Sequence, residues 1–406
     1  MSSILIRNIK SLYGIRDSGA RTVKGEELRK LPSIDNAYLL VENGLIKSFG
    51  KNAEAPENAD EIIDATGKFV FPCWCDSHTH IVYAGSRETE FVNRIEGLSY
   101  EEIAKKGGGI LNSAKRLAGA SEEELFDAAW LRLAEMQNFG TGAVEIKSGY
   151  GLSYDGELKM LRVIKKLKEK SKLTIKANFL GAHAYPAEFK QNHRGYLDIL
   201  IQQLLPKIAD EGLADFIDVF CDRGFFSPEE TDEILQAGAK YNLQAKIHAN
   251  ELDYSGGIEV GVKNKALSVD HLEFTGDAQV NALKDSITMP TLLPSTAFFL
   301  GLQYAPARKM IDSGLPVAIA TDYNPGSSPS GNMPFVIALA CIKMKMLPEE
   351  AINAATLNPA YAMGVEQQLG SITVGKKANM FITKPMSSLA YLPYSFGSNL
   401  VERVFI

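Results

Sequence analysis

The chain is short of cysteine, of charge imbalance and of long apolar runs, and each shortage excludes a class of protein. Its four cysteines, Cys73, Cys75, Cys221 and Cys341, are too few among 406 residues to staple the fold with disulfides. They read mostly as small core residues. The formal net charge is only −6. Lysine and arginine form no cluster, so no nucleic-acid footprint is expected. No apolar run approaches the roughly 18 residues of a membrane span. Residues 1–9 lack a basic stretch followed by a sustained apolar one, so no secretory signal is expected. These absences suit a cytoplasmic protein with neither a membrane nor a nucleic-acid partner.

What is present has the balance of a soluble globular protein, 45% apolar and 23% charged. A chain of 406 residues predicts a large α/β domain with a smaller companion. Both ends read as β. Residues 37–41 and 45–49 flank Asn43-Gly44, a pair that accepts the positive φ of a type I′ hairpin turn. Segments 62–65, 68–71, 378–383 and 400–406 read as further strands, the last two around a loop-like stretch at 385–398.

Between the ends, short β-rich apolar runs alternate with helical stretches. The runs are 69–74, 143–146, 174–180, 216–220, 245–247, 267–269, 286–292 and 317–320. Helices are expected over 121–138, where Ser121 and Glu124 form a capping box, and over 157–170, 194–211, 228–241, 306–312 and 348–357. Strands buried on both faces and separated by helices predict parallel βα units. Eight such units predict a (β/α)8 TIM barrel rather than an open doubly wound sheet. The open sheet usually carries a Gly-rich phosphate loop after its first strand, and here that position holds Asp76-Ser77-His78-Thr79-His80. The two β ends then build one small β-sandwich domain, residues 1–70 with 369–406, and the barrel, residues 71–368, is inserted between them.

Histidine is scarce, with six in the chain, and five of the six fall at or just after the C-terminal end of an expected strand. In a barrel that end carries the active site. His78 and His80 point the same way, because residues two apart on a strand share a face. His248 closes the fifth barrel strand and Asp322 the eighth. Three histidines and a carboxylate suit zinc, and imidazole also suits iron. The competing reading of each as a satisfied core histidine or a helix-capping aspartate is weakened by their clustering. His271, ending the sixth strand, is placed either to ligate the ion or to hydrogen-bond a water or substrate carbonyl. A structural bond to a neighbouring loop is the plainer alternative.

This frame of residues resembles the amidohydrolase superfamily over nearly the whole chain. Four loops in order are similar to the imidazolonepropionase family within it: Tyr83-Ala84-Gly85-Ser86-Arg87-Glu88, Lys147-Ser148-Gly149-Tyr150-Gly151-Leu152, Gly181-Ala182-His183-Ala184-Tyr185-Pro186 and Thr321-Asp322-Tyr323-Asn324-Pro325-Gly326-Ser327. The resemblance implies hydrolysis of 4-imidazolone-5-propanoate to N-formimidoyl-L-glutamate in histidine breakdown, by a homodimer. It implies His78, His80, His248 and Asp322 as metal ligands. Many superfamily members bridge two metals with a carboxylated lysine on strand four, but residues 215–226 contain no lysine. One zinc or iron ion per subunit is therefore expected. Lys147 lies on strand two, where Glu145 offers an ordinary ion pair.

The implied roles are specific. Asp322 takes the proton of the attacking water, His271 steadies the developing oxyanion, and Glu251 shuttles a proton to the leaving nitrogen. Arg87 is suited to a substrate carboxylate by its forked donors, although pairing with Glu88 or Glu90 is the plainer reading. Tyr150, His183, Asn324, Gly326 and Ser327 match the family's positions around the substrate. The glycines Gly107 to Gly109 suit a mobile lid or a phosphate cradle, and the lid is favoured because no P-loop Lys-Ser/Thr follows. Two departures stand out: Cys73-Trp74-Cys75 precedes the His-x-His where a Gly and an apolar residue are usual, and Asn379 replaces an aspartate. Two rival readings remain. An aminohydrolase of nucleobase-like rings would share the metal frame without needing Arg87, and a catalytically dead barrel scaffold would be expected to have lost ligands.

Overall fold

A computed structural model describes residues 3–98, 102 and 108–406. Among these, the chain forms two β assemblies. The first is a mixed sheet of seven strands: β1 (Ser3–Tyr13), β2 (Ser33–Glu42), β3 (Leu45–Lys51), β4 (Glu61–Asp64), β5 (Phe69–Pro72) and, from the other end of the chain, β14 (Met380–Thr383) and β15 (Val401–Phe405). Strand β14 lies antiparallel between β5 and β15, so the two termini build one sheet. The β2–β3 hairpin turns at Asn43 and Gly44, with φ of 51° and 78°, the conformation that pair is suited to adopt.

The second assembly is the barrel. Its eight parallel strands run in sequence order: β6 (Trp74–Thr79), β7 (Thr141–Lys147), β8 (Thr174–Ala182), β9 (Phe216–Cys221), β10 (Gln244–Ala249), β11 (Ser268–His271), β12 (Met289–Leu292) and β13 (Ala318–Ile319). Beyond β13 the chain meets β6. The Asp322 N–H donates to the His78 carbonyl at 3.0 Å and the His80 N–H to the Tyr323 carbonyl at 2.9 Å. These bonds close the ring where two of the candidate site histidines meet the candidate aspartate.

The expected first barrel strand, 69–74, is divided by the structure. Phe69–Pro72 pairs with β1 and β14 in the terminal sheet, and the barrel strand is Trp74–Thr79. The aromatic run is drawn away because Phe71 stacks on Tyr13 and Phe381 and Phe69 packs edge-on against Tyr13. His78 therefore sits within the strand rather than after it. The helix expected over 194–211 is continuous but carries a π-helical segment at Ile199–Leu204, between α-helical turns at His193–Asp198 and Leu205–Glu211. The capping box at Ser121 is present, with Glu124 reaching back to the Ser121 N–H.

Cys73 and Cys75 are fully buried. Cys75 packs with Ala143, Ala360, Met363, Val365 and Leu369, away from the histidines. Of the expected glycine lid, Gly107 lies outside the described residues. Gly109, at φ 85°, is the cap from which the helix Ile110–Gly119 starts. No described helix is long and apolar enough to cross a membrane.

The barrel and the terminal sheet touch at Gly142, where Asn379 donates to the Gly142 carbonyl at 3.2 Å. A Cβ on Gly142 would collide with the Asn379 side chain and stand 2.6 Å from the Cys73 Cβ. We expect Gly142→Ala to cost about 1–3 kcal/mol through overpacking, read as a lowered denaturant midpoint. An unchanged midpoint would show that the junction yields freely.

Candidate metal centre and active site

The inner face of the barrel carries charge where a core would carry leucine. Lys147 on β7 reaches Glu145 and Asp218, each at 2.7 Å, and Asp270 at 3.5 Å. Lys246 on β10 pairs with the same Glu145 and donates to the Ser77 carbonyl at 3.1 Å. Asn178 donates to Glu145 and Asp218 at 2.8 and 2.9 Å. All of these groups are buried. The Lys147–Glu145 contact expected as an ordinary ion pair is thus one edge of a network under the histidines. Burial alone would raise Asp218, but the charge on Lys147 and the hydrogen bonds from Lys147 and His248 outweigh it and hold the carboxyl well below its usual range.

The network aims the histidines. The Nδ1 of His78 lies 2.6 Å from Asp270 Oδ2, and the Nδ1 of His248 lies 3.0 Å from Asp218 Oδ1. A carboxylate on Nδ1 fixes the tautomer and leaves Nε2 with its lone pair exposed. Those Nε2 atoms converge. His80 Nε2 is 3.3 Å from that of His78 and 3.4 Å from that of His248. Asp322 Oδ1 stands 3.5 Å from His78 Nε2 and 3.6 Å from His80 Nε2. Burial, before any neighbouring charge, keeps His78 and His80 well below the ordinary imidazole pKa.

The spacing fits a metal ion. Ligands about 2.0–2.1 Å from a tetrahedral centre stand about 3.4 Å from one another. The charge fits as well. Beneath the histidines, Lys147 and Lys246 meet the three carboxylates of Glu145, Asp218 and Asp270, and Asp322 adds a further carboxyl beside His78 and His80, a surplus that a cation offsets. Asp322 Oδ2 accepts from Thr296 Oγ1 at 2.6 Å, which turns Oδ1 toward the histidines, and burial pushes the carboxyl up to about 6.

His271 stands between two possibilities. It belongs with His78 and His248 to a second group of side chains close enough to share an ion. Its Nδ1 lies 3.6 Å from Glu251 and 3.9 Å from Glu273, with no hydrogen bond inside that range. His271 and Leu272 both adopt positive φ, 83° and 70°, an uncommon pair of conformations for residues with side chains. Such strain persists where the surroundings over-determine it, as at a functional site.

A cavity of about 510 Å3 opens above this cluster, lined by His80, His248, His271 and Asp322. Arg87, Tyr150, His183, Glu251, Asn324, Gly326 and Ser327 line it too. Burial first, then the charges of Asp322 and Asp222, pushes Glu251 up to about 8. Asp222 positions it, accepting from the Glu251 and Leu252 N–H groups at 2.8 and 2.9 Å. His183 donates from Nδ1 to the Gly149 carbonyl, 3.0 Å away, and burial lowers its pKa to about 3. Asn324 spends its amide on its own loop: Oδ1 accepts from Gly326 and Ser327 N–H groups, and Nδ2 donates to the Asp322 carbonyl. Asp218, Asp270, Thr296 and Asp222 were not singled out from sequence.

These features define a class: a metal-dependent hydrolytic barrel. Residues 69–406 match the family model described as the amidohydrolase family. Solved structures with this fold include an adenosine deaminase from Xanthomonas campestris with bound zinc (TM-score 0.74, 16% identity, 100% of this chain and 92% of that one). A guanine deaminase from C. acetobutylicum gives a TM-score of 0.69 at 18% identity, over 100% of this chain and 98% of that one. At such identities they show the fold alone. Sequence relatives are nearer. The imidazolonepropionase of Flavobacterium johnsoniae is 59% identical over 403 residues, covering 99% of this chain and 98% of its own. That of Geobacillus thermodenitrificans is 42% identical, covering 100% and 96%. The chain belongs to the imidazolonepropionase family of the amidohydrolases.

Replacing Asp270 with asparagine removes no candidate ligand but unsettles the tautomer of His78. We expect D270N to weaken metal binding about 10–100-fold, measured by competition with a chelator. Unaltered affinity would make Asp270 part of the barrel's charge packing only.

Proposed function

We propose that the chain hydrolyses the ring amide of 4-imidazolone-5-propanoate to N-formimidoyl-L-glutamate, using one zinc or iron ion held by His78, His80, His248 and Asp322. The observation that carries this reading is the meeting of the His80 Nε2 with those of His78 and His248 at 3.3 and 3.4 Å, and of Asp322 Oδ1 with the His78 and His80 Nε2 atoms at 3.5 and 3.6 Å, at the floor of a cavity that also holds Arg87. The relatives named for this activity cover the full chain.

The ion, when bound, supplies Lewis acidity that lowers the pKa of water toward about 7. The chain's own groups do the rest. Asp322, whose Oδ1 is turned toward the histidines by the Thr296 bond to Oδ2, is placed to take a proton from the attacking water. Water adds to the ring carbonyl carbon. His271 is held neutral by burial, so it keeps one N–H to donate to the developing oxyanion. The ring C–N bond then breaks, and the nitrogen leaves with a proton. Glu251, at about 8, is protonated at neutral pH and suited to deliver it. Arg87 pairs with the propanoate carboxylate, and Tyr150 and His183 flank the ring. Gly326 leaves room for the guanidinium, since a Cβ there would collide with Arg87 Nη1.

The anion site separates this reading from a nucleobase aminohydrolase, whose substrate carries no carboxylate for Arg87. The buried donor set argues against a catalytically dead scaffold. The proposal extends to a homodimer in the cytoplasm, supported by the family membership alone.

The test is turnover of 4-imidazolone-5-propanoate by protein reconstituted with zinc or iron, against adenine, guanine and cytosine. Hydrolysis of a nucleobase with none of the imidazolone would overturn the reading. Arg87→Ala should raise KM at least tenfold with metal content intact, as expected for a lost charge-assisted pair of about 1.5–3 kcal/mol. An unaltered KM removes Arg87 from recognition. His271→Ala should retain the ion and lose about 10²–10³-fold in kcat, the loss typical of an oxyanion donor. Loss of the ion instead would make His271 a ligand.

A further inference from the structure

Glu90 lies in the first turn of the helix Glu88–Ile95, one of two acids there, yet it is buried. One carboxylate oxygen, Oε2, accepts from Arg87 Nε at 2.9 Å and from Nη2. The other, Oε1, accepts from the Gly109 N–H at 2.9 Å. The Arg87 and Glu90 side chains are only 11% and 9% exposed. An ordinary surface pair, the plainer reading of Arg87, would not be buried in this way.

The guanidinium has five N–H donors in a planar fork. Glu90 occupies the edge made by Nε and Nη2. The remaining two-pronged edge is the outer one, made by Nη1 and Nη2, and Nη1 packs over the Cα of Gly326 at the cavity wall. The second oxygen of Glu90 fixes the residue that starts the helix Ile110–Gly119, whose first side chain, Ile110, lines the same cavity. Arg94, also on that wall, donates to the Gly326 carbonyl at 3.2 Å.

We propose that Glu90 is the positioning residue of the anion site: its two oxygens lock Arg87 and the Gly109–Ile110 wall into one arrangement, so that the outer Nη1–Nη2 edge of Arg87 receives the substrate carboxylate. This rests on the reading of Arg87 as the carboxylate partner. Glu90 touches no reacting atom. Its negative charge opposes an incoming anion, so its benefit comes from orientation, and the two effects predict opposite results on removal.

The experiment compares E90A, E90Q, R87A and the double variant R87A/E90A. Binding of imidazole-4-propanoate and of its uncharged primary amide is measured by calorimetry, beside KM and kcat for 4-imidazolone-5-propanoate. The expected result for E90A is about ten- to hundredfold weaker binding of the carboxylate, the loss of one oriented charge-assisted pair, with amide binding and kcat within threefold of the parent. E90Q should fall between, because one amide oxygen cannot serve both Arg87 and Gly109. The double variant should bind no more weakly than R87A, since the two act as one unit. Tighter carboxylate binding by E90A or E90Q would show that Glu90 acts by charge alone and overturn the proposal. Equal losses for carboxylate and amide would make Glu90 merely structural and overturn it as well. Should E90A not fold, E90Q decides by the same criteria. If R87A itself leaves carboxylate binding intact, the underlying reading of Arg87 fails. If R87A weakens it and neither Glu90 variant does, only the role of Glu90 fails.

Discussion

Everything at the mouth of this barrel depends on a buried imbalance of charge beneath it. Lys147 and Lys246 are each held by carboxylates within the ring of strands, and they do not neutralise all of them. Burying an unpaired carboxylate is expensive, and a protein accepts that cost only where a cation or a metal ion completes the set. Asp218 and Asp270 meet lysine on one side and histidine on the other. They connect the barrel's interior electrostatics to the two imidazoles whose lone pairs they turn inward. The histidine cluster and the salt-bridge network are one device: the network orients the imidazoles, and an ion among the imidazoles offsets the network's charge.

Above that floor, the cavity grades from metal-ligating groups to a cationic wall. Burial, then the charges of Asp322 and Asp222, keeps Glu251 protonated near neutrality. Arg87 and Arg94 stand with Gly326 and Ser327 on the loop after the eighth strand. A substrate with a polarisable ring amide and a carboxylate a few bonds away matches both ends at once. Strain at His271 and Leu272, and a positive φ of 52° at Asp322, show backbone bent to the needs of the site on two separate strands.

Much of the fold is legible in the sequence because its signals are local. The Asn43-Gly44 turn, the Ser121 capping box and the alternation of apolar runs with helices each depend on residues close together in the chain. The position of the first barrel strand is not local. The run at 69–74 is apolar enough for either assembly, and only the stacking of Phe71 on Tyr13 and Phe381, both distant in sequence, assigns it to the terminal sheet. For the site, scarcity of histidine helps: five of six at strand ends is a pattern that needs no coordinates. The supporting aspartates are hidden by their abundance in the composition. Glu90 is hidden by its setting, since an acid in a helix's first turn is ordinary until its burial and its second partner, Gly109, are seen.

The central claim is that a metal ion completes the buried charge at the convergence of His78, His80, His248 and Asp322. It is tested most directly by elemental analysis of protein purified without chelator, followed by titration of chelated protein with zinc or iron(II). The account predicts one tightly bound ion per chain, and recovery of that one site on titration. Protein that carries no ion as purified, and that takes up none when it is offered, would contradict it.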